Sequence, residues 1–175
     1  GRIWAGSYGA GVTLFSKEED GSITFENLYD MDGNLSYAAD VVGYVVVIDM
    51  IADDQNNMWF LTLDAGNKQV LQAYDLDSSW QYWSTTDGIR NVKTSCITID
   101  NVGRKWIGTG APNGVGGSGV SVLDDNGTPY DKSDDDLTGF LDESEGLEDN
   151  NITALAEDLD GTMWIGTVRG LNYWF

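Results

Sequence analysis

Residues 151–175 read NITALAEDLDGTMWIGTVRGLNYWF, which is three short apolar segments separated by two turn signals. The first signal is DLDG at residues 158–161, because aspartate and glycine favour tight turns, and the second is RG at residues 169–170. Each apolar segment is too short for a typical helix, and the last one alternates and is rich in aromatic residues. The stretch therefore predicts three β-strands joined by tight turns.

The same pattern recurs upstream in the chain. Three times a tryptophan follows an aspartate by six residues, and a fourth tryptophan has matching flanks. An apolar residue follows each tryptophan, and then come a glycine (Leu61 in the second copy) and a serine or threonine. The tryptophans are 55, 47 and 58 residues apart, close to the ~40–50 residue period of propeller blades. The repeated positions are Asp53, Asp100, Asp158, Trp4, Trp59, Trp106 and Trp164.

The segment DLDGTMWIGTVRGLNYW, residues 158–174, resembles the two-component regulator propeller repeat. That family's pattern is a Gly-Leu lead-in, an apolar strand, Asp-x-x-Gly-x-x-Trp-Ile-Gly-Thr, and then Gly-Leu and an aromatic residue. The resemblance covers essentially the whole chain, closely in the third and fourth copies and loosely in the second. It implies a large β-propeller, commonly the extracytoplasmic sensing region of bacterial hybrid two-component receptors, and related propellers occur in secreted and surface proteins.

The repeat predicts an all-β fold of about three and a half four-stranded antiparallel blades, all part of one larger β-propeller domain. We label the strands of a blade A to D in chain order. The fourth strand of the third blade is expected near Tyr130 or Phe140. The two outer sheets are expected to need cover from the remaining blades of the same chain or of another chain. The predicted blade repeats are approximately residues 1–28, 44–85, 94–141 and 151–175.

Composition argues against several classes of function and structure for this chain. The net charge of −20, from 29 acidic and 9 basic residues, argues against a nucleic-acid partner, whose phosphates this surface would repel. No apolar run is long enough to span a membrane, so direct membrane insertion of this segment is not expected. The single cysteine, Cys96, forbids an internal disulfide and aligns with Ala154, which predicts a small buried side chain.

No catalytic constellation is readable in the sequence. The chain contains no histidine, the usual proton-transfer residue, so we expect no catalytic residues and no enzymatic activity. A propeller lyase or hydrolase is the remaining enzymatic alternative, through a slight resemblance of MWFLT, residues 58–62, to streptogramin-lyase-like propellers.

Loop lengths predict which face of the propeller binds ligands. The A–B and C–D turns, at residues 54–56, 101–103, 125–128 and 159–162, are short. The B–C loops and blade connectors, which open on the other face, are long and irregular, at residues 28–44, 64–69, 110–119 and 129–151. Insertions on one face of a repeat protein mark its working face, although drift in unconstrained loops would give the same pattern. The candidate ligand-binding residues on this loop face are Tyr8, Asn67, Asn113, Asn151 and Arg169.

One loop has the spacing of a cation site. Asp30, Asp32 and Asn34 place oxygen ligands at alternate positions, as calcium loops do. Leu35 and Val41 stand where an EF-hand requires glycine and glutamate, so an EF-hand is excluded. An irregular Ca²⁺ site is one hypothesis and an ordinary aspartate-rich turn is the other; no other cofactor is expected.

The leading hypothesis is a non-catalytic binding or sensing module, periplasmic or extracellular, that recognises a small molecule, a glycan or a protein on its loop face. A structural or adhesive module of a secreted or cell-surface protein is the alternative from a different class.

Overall fold

A computed structural model of the chain describes residues 1–75, 79–111, 114 and 116–175. Within these ranges the chain forms antiparallel β-sheets and two one-turn 3-10 helices, Lys132–Asp134 and Glu143–Glu145, and contains no α-helix. The predicted all-β fold class is confirmed.

Four sheets follow one another along the chain, and we call them blades 1 to 4. Blade 1 has strands B, C and D, namely β1 (Arg2–Gly6), β3 (Val12–Lys17) and β4 (Ile23–Tyr29). Blade 2 has strands A to D, namely β5 (Val45–Ala52), β6 (Met58–Thr62), β7 (Gln69–Tyr74) and β8 (Trp80–Ser84). Blade 3 also has strands A to D, namely β9 (Thr94–Ile99), β10 (Lys105–Thr109), β11 (Val120–Asp124) and β12 (Asp136–Leu141). Blade 4 has strands A to C, namely β13 (Ile152–Glu157), β14 (Met163–Thr167) and β15 (Leu171–Trp174).

Within each blade, consecutive strands pair antiparallel as a meander. The short strand β2 (Tyr8–Gly9) leaves blade 1 and pairs with Val45 and Val46 at the edge of blade 2. The chain is thus part of a β-propeller in which a B–C loop links one blade to the next.

The apolar core lies between the blades in three clusters, one at each junction. Val12 and Leu14 of blade 1 pack on Phe60 of blade 2. The other two clusters have the same arrangement, with Trp59, Leu61 and Trp83 of blade 2 on Ile107 of blade 3, and Trp106 of blade 3 on Ile152, Met163 and Ile165 of blade 4. Each sheet therefore contributes both of its faces to packing wherever a neighbour is present.

The recurrent aspartate holds both the A–B turn and the tryptophan of its blade. Oδ1 of Asp100 accepts the backbone N–H groups of Val102 (3.2 Å) and Arg104 (2.8 Å). Oδ2 of the same carboxylate accepts the indole N–H of Trp106 at 2.8 Å. The pairs Asp53–Trp59 (2.9 Å) and Asp158–Trp164 (2.8 Å) repeat this bond. The six-residue spacing therefore reflects one carboxylate that caps a turn and orients an indole.

The glycine two residues after the tryptophan lies where the next blade approaches. A Cβ atom on Gly108 would lie 2.7 Å from Sγ of Cys96 and 2.8 Å from Cγ2 of Ile152 in blade 4. Any side chain at this position would displace the half-buried Cys96 or the buried Ile152, which explains why a glycine stands there.

The C–D connection of blade 3 was predicted too short. Strand β12 begins at Asp136, so this connection runs from residue 125 to residue 135, and the blade 3–4 connector runs only from 142 to 151. The connection folds back onto blade 2, where Lys132 binds Asp87 (2.6 Å) and Asp135 accepts the indole N–H of Trp83. It is therefore a long loop that leaves β11 on the A–B turn face and reaches along β8 to Asp87 in the blade 2–3 connector.

Candidate ligand site on the loop face

The innermost strands of blades 2, 3 and 4 each contain a β-bulge at an equivalent position. Pairing with strand B skips Ile48 in β5, Ser95 in β9 and Thr153 in β13. A bulge turns the unpaired residue away from its strand's regular alternation and redirects its side chain. Three consecutive blades therefore present one redirected side chain each at the loop-face end of their inner strands.

The three bulge residues line one cavity of about 260 Å³, which we call the bulge cavity. Blades 3 and 4 also supply loop residues, including Ala111 and Val168. The described residues that line it are Ile48, Thr94, Ser95, Gly110, Ala111, Gly114, Asn151, Ile152, Thr153 and Val168. The cavity is therefore built by repeats from three blades and not by a single loop.

A hydrogen-bond network fixes the polar wall of the bulge cavity. Asn151 donates from its backbone N–H and from Nδ2 to Asp149 Oδ1, both at 2.7 Å, and accepts the N–H of Gly117 at 2.8 Å. The guanidinium Nε of Arg169 lies 3.1 Å from the other oxygen of Asp149. The hydrogen bonds from Asn151, and then the charge of Arg169, lower the pKa of Asp149 from its usual value. Asp149 thus stays ionised and connects two predicted site residues.

The structure brings only some of the predicted ligand-binding residues together. Asn151 lines the bulge cavity, and Arg169 lies beside it in the B–C loop of blade 4. Tyr8 is 62% exposed in β2, and Asn67 is exposed in the B–C loop of blade 2, where it bonds Gln69. Neither belongs to the cavity lining as described, and Asn113 lies outside the described residues.

Sequence reasoning missed the bulge residues and Asp149. A bulge shifts the alternation of a strand by one residue, which is visible only once the partner strand is known. Asp149 was hidden in an acidic stretch that reads as a solvated linker. The usable signal was the alignment of Ile48, Ser95 and Thr153 in the repeat, close to the start of each strand A.

In the proposed calcium loop, the first aspartate, Asp30, caps a turn of the loop itself. Oδ1 of Asp30 accepts the backbone N–H groups of Asp32 (2.9 Å) and Gly33 (3.2 Å), and Asn34 has a positive φ of 76°. These are features of an aspartate-capped turn. Across the described ranges, no group of three or more Cys, Asp or Glu side chains is placed to hold a metal ion. The calcium hypothesis stays a prediction of the sequence.

A second cavity, of about 380 Å³, lies between blades 2 and 3 on the A–B turn face. Its floor contains Lys105, whose Nζ donates to both oxygens of Asp125 at 2.7 Å and lies 4.4 Å from the ring centre of Trp59. Both ionic side chains are almost fully buried. Because the ammonium group of Lys105 is already paired with Asp125, it is not free to bind a ligand. The other charged groups that the cavity offers are carboxylates of the A–B turns, of which Asp53 and Asp100 already accept hydrogen bonds from the backbone of their own turns.

The family comparison agrees with the repeat. The family model described as Two component regulator propeller matches residues 146–169. The match covers strands A and B of blade 4, so this segment is similar to that repeat family. No curated protein matches the chain significantly in sequence.

Solved structures with the same fold include PorZ, a bacterial surface component of the type-IX secretion system of Porphyromonas gingivalis. It matches with a TM-score of 0.73 at 22% identity, over 99% of this chain and 23% of that chain. The extracellular domain of the putative hybrid two component system BT3049 from B. thetaiotaomicron matches with a TM-score of 0.70 at 20% identity. This match covers 99% of this chain and 20% of that chain. The extracellular domain of the putative one component system BT4673 from the same organism matches with a TM-score of 0.63 at 16% identity. This match covers 98% of this chain and 20% of that chain.

This chain spans about a fifth of the length of these solved chains. At these identities the comparisons show the propeller fold. Two of the three proteins are extracellular domains of putative two- and one-component systems, and the third is a bacterial surface component. In the ranges that the structure covers, no helix is long and apolar enough to cross a membrane.

Proposed function

We propose that the chain is a non-catalytic, extracytoplasmic propeller module that binds a small molecule in the bulge cavity. The observation that carries the proposal is the convergence of three equivalent bulges, Ile48, Ser95 and Thr153, on one cavity. Bulges are concentrated next to functional sites, where they redirect side chains.

The lining defines the chemistry of the ligand. Ile48, Ala111 and Val168 offer an apolar wall, while Ser95 and Thr153 carry hydroxyl groups. Such a wall with a few hydrogen-bonding groups is typical of small-molecule sites, whose volumes are roughly 300–1,000 Å³. At about 260 Å³, the cavity fits a compact, uncharged molecule with hydroxyl or amide groups, or the end of a glycan.

The related structures support the setting of the proposal. Two of them are extracellular domains of putative two- and one-component systems, and the third is a surface component of a secretion system. A location outside the cytoplasm, where a propeller meets external small molecules, follows by analogy of fold.

Thermal-shift measurements with named probes test the site. The panel is a set of neutral monosaccharides and disaccharides and of small primary amides, each screened at millimolar concentration. We expect at least one probe to raise the melting temperature of the wild type, since a ligand that binds only the folded state stabilises it. Thr153→Trp, which fills the cavity, should abolish the shift. The matched control Val102→Trp places the same side chain at a 69% exposed position on the A–B turn face and should keep it.

Two results would contradict the proposal. One is a set of probes that stabilises Thr153→Trp as strongly as the wild type. The other is loss of the shift in Val102→Trp alone, which would move the site to the A–B turn face. Circular dichroism of both variants checks that the propeller fold is retained.

A structural or adhesive module of a surface protein is the second candidate. The observation in its favour is the likeness of fold to PorZ, which is a bacterial surface component of a secretion system.

A further inference from the structure

The threonine at the end of strand B closes the base of the B–C loop in blades 2, 3 and 4. Oγ1 of Thr109 donates to the carbonyl of Gly119 at 2.7 Å. Thr62 and Thr167 make the same kind of bond across their own loops. The B–C loop of blade 3, residues 110–119, is longer than the other two, so this bond holds only its base. The part of the loop beyond the base needs other contacts to keep one position.

One peptide group beyond the base is held from both sides by asparagine side chains. Nδ2 of Asn91 donates to the carbonyl of Gly116 at 2.7 Å, and Oδ1 of Asn151 accepts the N–H of Gly117 at 2.8 Å. This carbonyl and this N–H belong to the same peptide group, because the two glycines are consecutive. Asn91 lies in the blade 2–3 connector, residues 85–93, and Asn151 ends the blade 3–4 connector. We call this arrangement the asparagine clamp.

The clamped peptide group lies directly against the blade 3–4 connector. A Cβ atom on Gly117 would lie 2.1 Å from the carbonyl oxygen of Asn150, so no side chain fits there. Gly116 has a positive φ of 78°, which glycine adopts without strain. Nδ2 of Asn91 also donates to Oγ of Ser118 at 3.0 Å. The glycine pair therefore lets the loop approach the connector closely enough for the clamp to form.

The clamped loop is also a wall of the bulge cavity, through Gly110, Ala111 and Gly114. The N–H of Gly110 donates to the carbonyl of Lys93 at 2.7 Å, and Oδ1 of Asn91 accepts the N–H of Lys93 at 3.0 Å. Asn91 thus supports the loop at its first residue and again at the clamp. Asn91 is not part of the described lining, so its effect on the cavity must pass through the loop.

The amide of Asn151 already makes a hydrogen bond within the protein at each end. Its oxygen accepts the N–H of Gly117, and its Nδ2 donates to Asp149 at 2.7 Å. Asn151 lines the cavity, but these bonds aim its amide at the loop and at the connector. This is the role of a residue that supports a site, whereas the sequence analysis expected it to bind the ligand.

We propose that Asn91 and Asn151 are positioning residues of the bulge cavity, which fix the wall formed by Ala111 and Gly114. The inference rests on the proposed function, because it concerns the same site. The cavity keeps its shape only while the connectors on both sides of blade 3 hold the loop. Removing either asparagine therefore weakens ligand binding even where the ligand does not touch that asparagine.

Asn91→Asp removes the clamp bond with little change of shape. One carboxylate oxygen can still accept the N–H of Lys93, whereas the other faces the carbonyl of Gly116 and repels it. Isothermal titration calorimetry measures binding of the neutral sugar or primary amide that gives the largest thermal shift with the wild type. We expect the dissociation constant to rise about three- to tenfold, as for the loss of one or two hydrogen bonds.

Two further variants complete the binding measurement. Asn151→Ala removes the other half of the clamp and should weaken binding to a similar extent. Asn67→Asp is the matched control, because Asn67 is an exposed asparagine in the B–C loop of blade 2, outside the described lining, and donates to Gln69 in the same segment. The control should bind the probe as the wild type does.

Amide hydrogen exchange tests the clamp without any ligand. In Asn91→Asp the amides of Gly114 and Gly117 should exchange roughly fivefold faster than in the wild type, because the loop opens more often. The acceptor of each of these amides is unchanged in this variant, so faster exchange reports the loop and not a deleted bond. The amide of Arg104, bonded to Asp100 in the A–B turn, should be unaffected.

The two readouts separate the possible failures. Faster exchange with an unchanged dissociation constant would overturn the inference, as would unchanged exchange in Asn91→Asp. Weaker binding in Asn151→Ala alone would instead make Asn151 a direct ligand contact. If no probe binds the wild type, the proposed function fails first and this inference fails with it. If Asn91→Asp does not fold, Asn91→Ala, which adds no charge, must show both effects.

Discussion

Lys105 and Asp125 form a buried ion pair in which Nζ of the lysine lies 2.7 Å from both carboxylate oxygens. Lys105 occupies the repeat position that holds Met58 and Met163 in the neighbouring blades. Blade 3 therefore places a charge where the other junctions place a thioether, and its long C–D loop supplies the counter-charge. The pair distinguishes the blade 2–3 junction chemically from the other two.

Removing one partner of this ion pair should lower the free energy of unfolding strongly, whereas replacing both partners should lower it much less. We predict that Asp125→Asn lowers the free energy of unfolding by about 3–5 kcal/mol, because it leaves an uncompensated buried ammonium group. The double variant Lys105→Met, Asp125→Asn should recover most of that loss, since methionine restores the residue type of the equivalent junctions. Urea unfolding of the wild type and both variants measures this. A double variant no more stable than Asp125→Asn would show that the ion pair is needed for more than its own desolvation.

Acid stability should depend on Asp158, which accepts the indole N–H of Trp164. Hydrogen bonds, first from Trp164 and then from Asp160, lower the pKa of Asp158 to about 2. A carboxylate with a depressed folded-state pKa stabilises the fold above its unfolded pKa of about 3.9, and this stabilisation is lost as the pH falls through the folded-state value. We therefore predict that the melting temperature of the wild type falls between about pH 4 and pH 2.

Asp158→Asn provides the test of this pH dependence. The variant should be less stable than the wild type at pH 6, and its melting temperature should fall less steeply below pH 4. An unchanged slope below pH 4 would show that other carboxylates dominate acid unfolding.

The close approach at Gly108 predicts a steric effect. Gly108→Ala places a methyl group within 3 Å of both Cys96 and Ile152, and we expect a loss of about 1–3 kcal/mol in unfolding free energy from overpacking. Gly170→Ala is the matched control, because its new Cβ would meet only Glu148, with Cγ at 3.5 Å and Cβ at 3.7 Å. Chemical denaturation should separate the two variants. Equal stability would mean that blades 3 and 4 separate more easily than the structure indicates.

The cysteine should be unreactive in the folded chain. Burial raises the pKa of Cys96 to about 11, and a hydrogen bond with Ser95 offsets part of this effect. Only a small fraction is therefore thiolate at pH 8, and the thiolate is the reactive form. We predict that a colorimetric disulfide reagent labels Cys96 at least tenfold more slowly in native buffer than in 6 M guanidinium chloride. Labelling at equal rates would show that the blade 3–4 junction opens readily.

The strands were largely readable from the sequence because the repeat fixes their positions. The predicted bounds of three strands coincide with those observed, namely β5 (Val45–Ala52), β8 (Trp80–Ser84) and β13 (Ile152–Glu157). Most of the others differ by one to three residues at their ends, and the short strand β2 was not predicted. The last strand of blade 3 was uncertain because DLTGFL, residues 136–141, has a glycine at its centre and acidic residues around it. That uncertainty also made its C–D loop appear short.

The candidate site was less predictable for two physical reasons. The bulges at Ser95 and Thr153 depend on cross-strand register, which no single strand displays. Lys105 reads as a surface charge, and its burial depends on Asp125, 20 residues away on another strand's turn. Asn151, Tyr8 and Asn67 were all chosen for lying on the loop face, and of these three Asn151 alone lines the bulge cavity.

The most direct test of the central claim is a ¹⁵N–¹H correlation spectrum of the labelled chain, titrated with the sugar or amide probe that gives the largest thermal shift. The bulge cavity predicts saturable shifts at the amides of Ser95, Thr153 and Val168, with the A–B turn residues Val102 and Gly103 unchanged. Saturable shifts confined to the A–B turns, with the three cavity amides unmoved, would contradict the account.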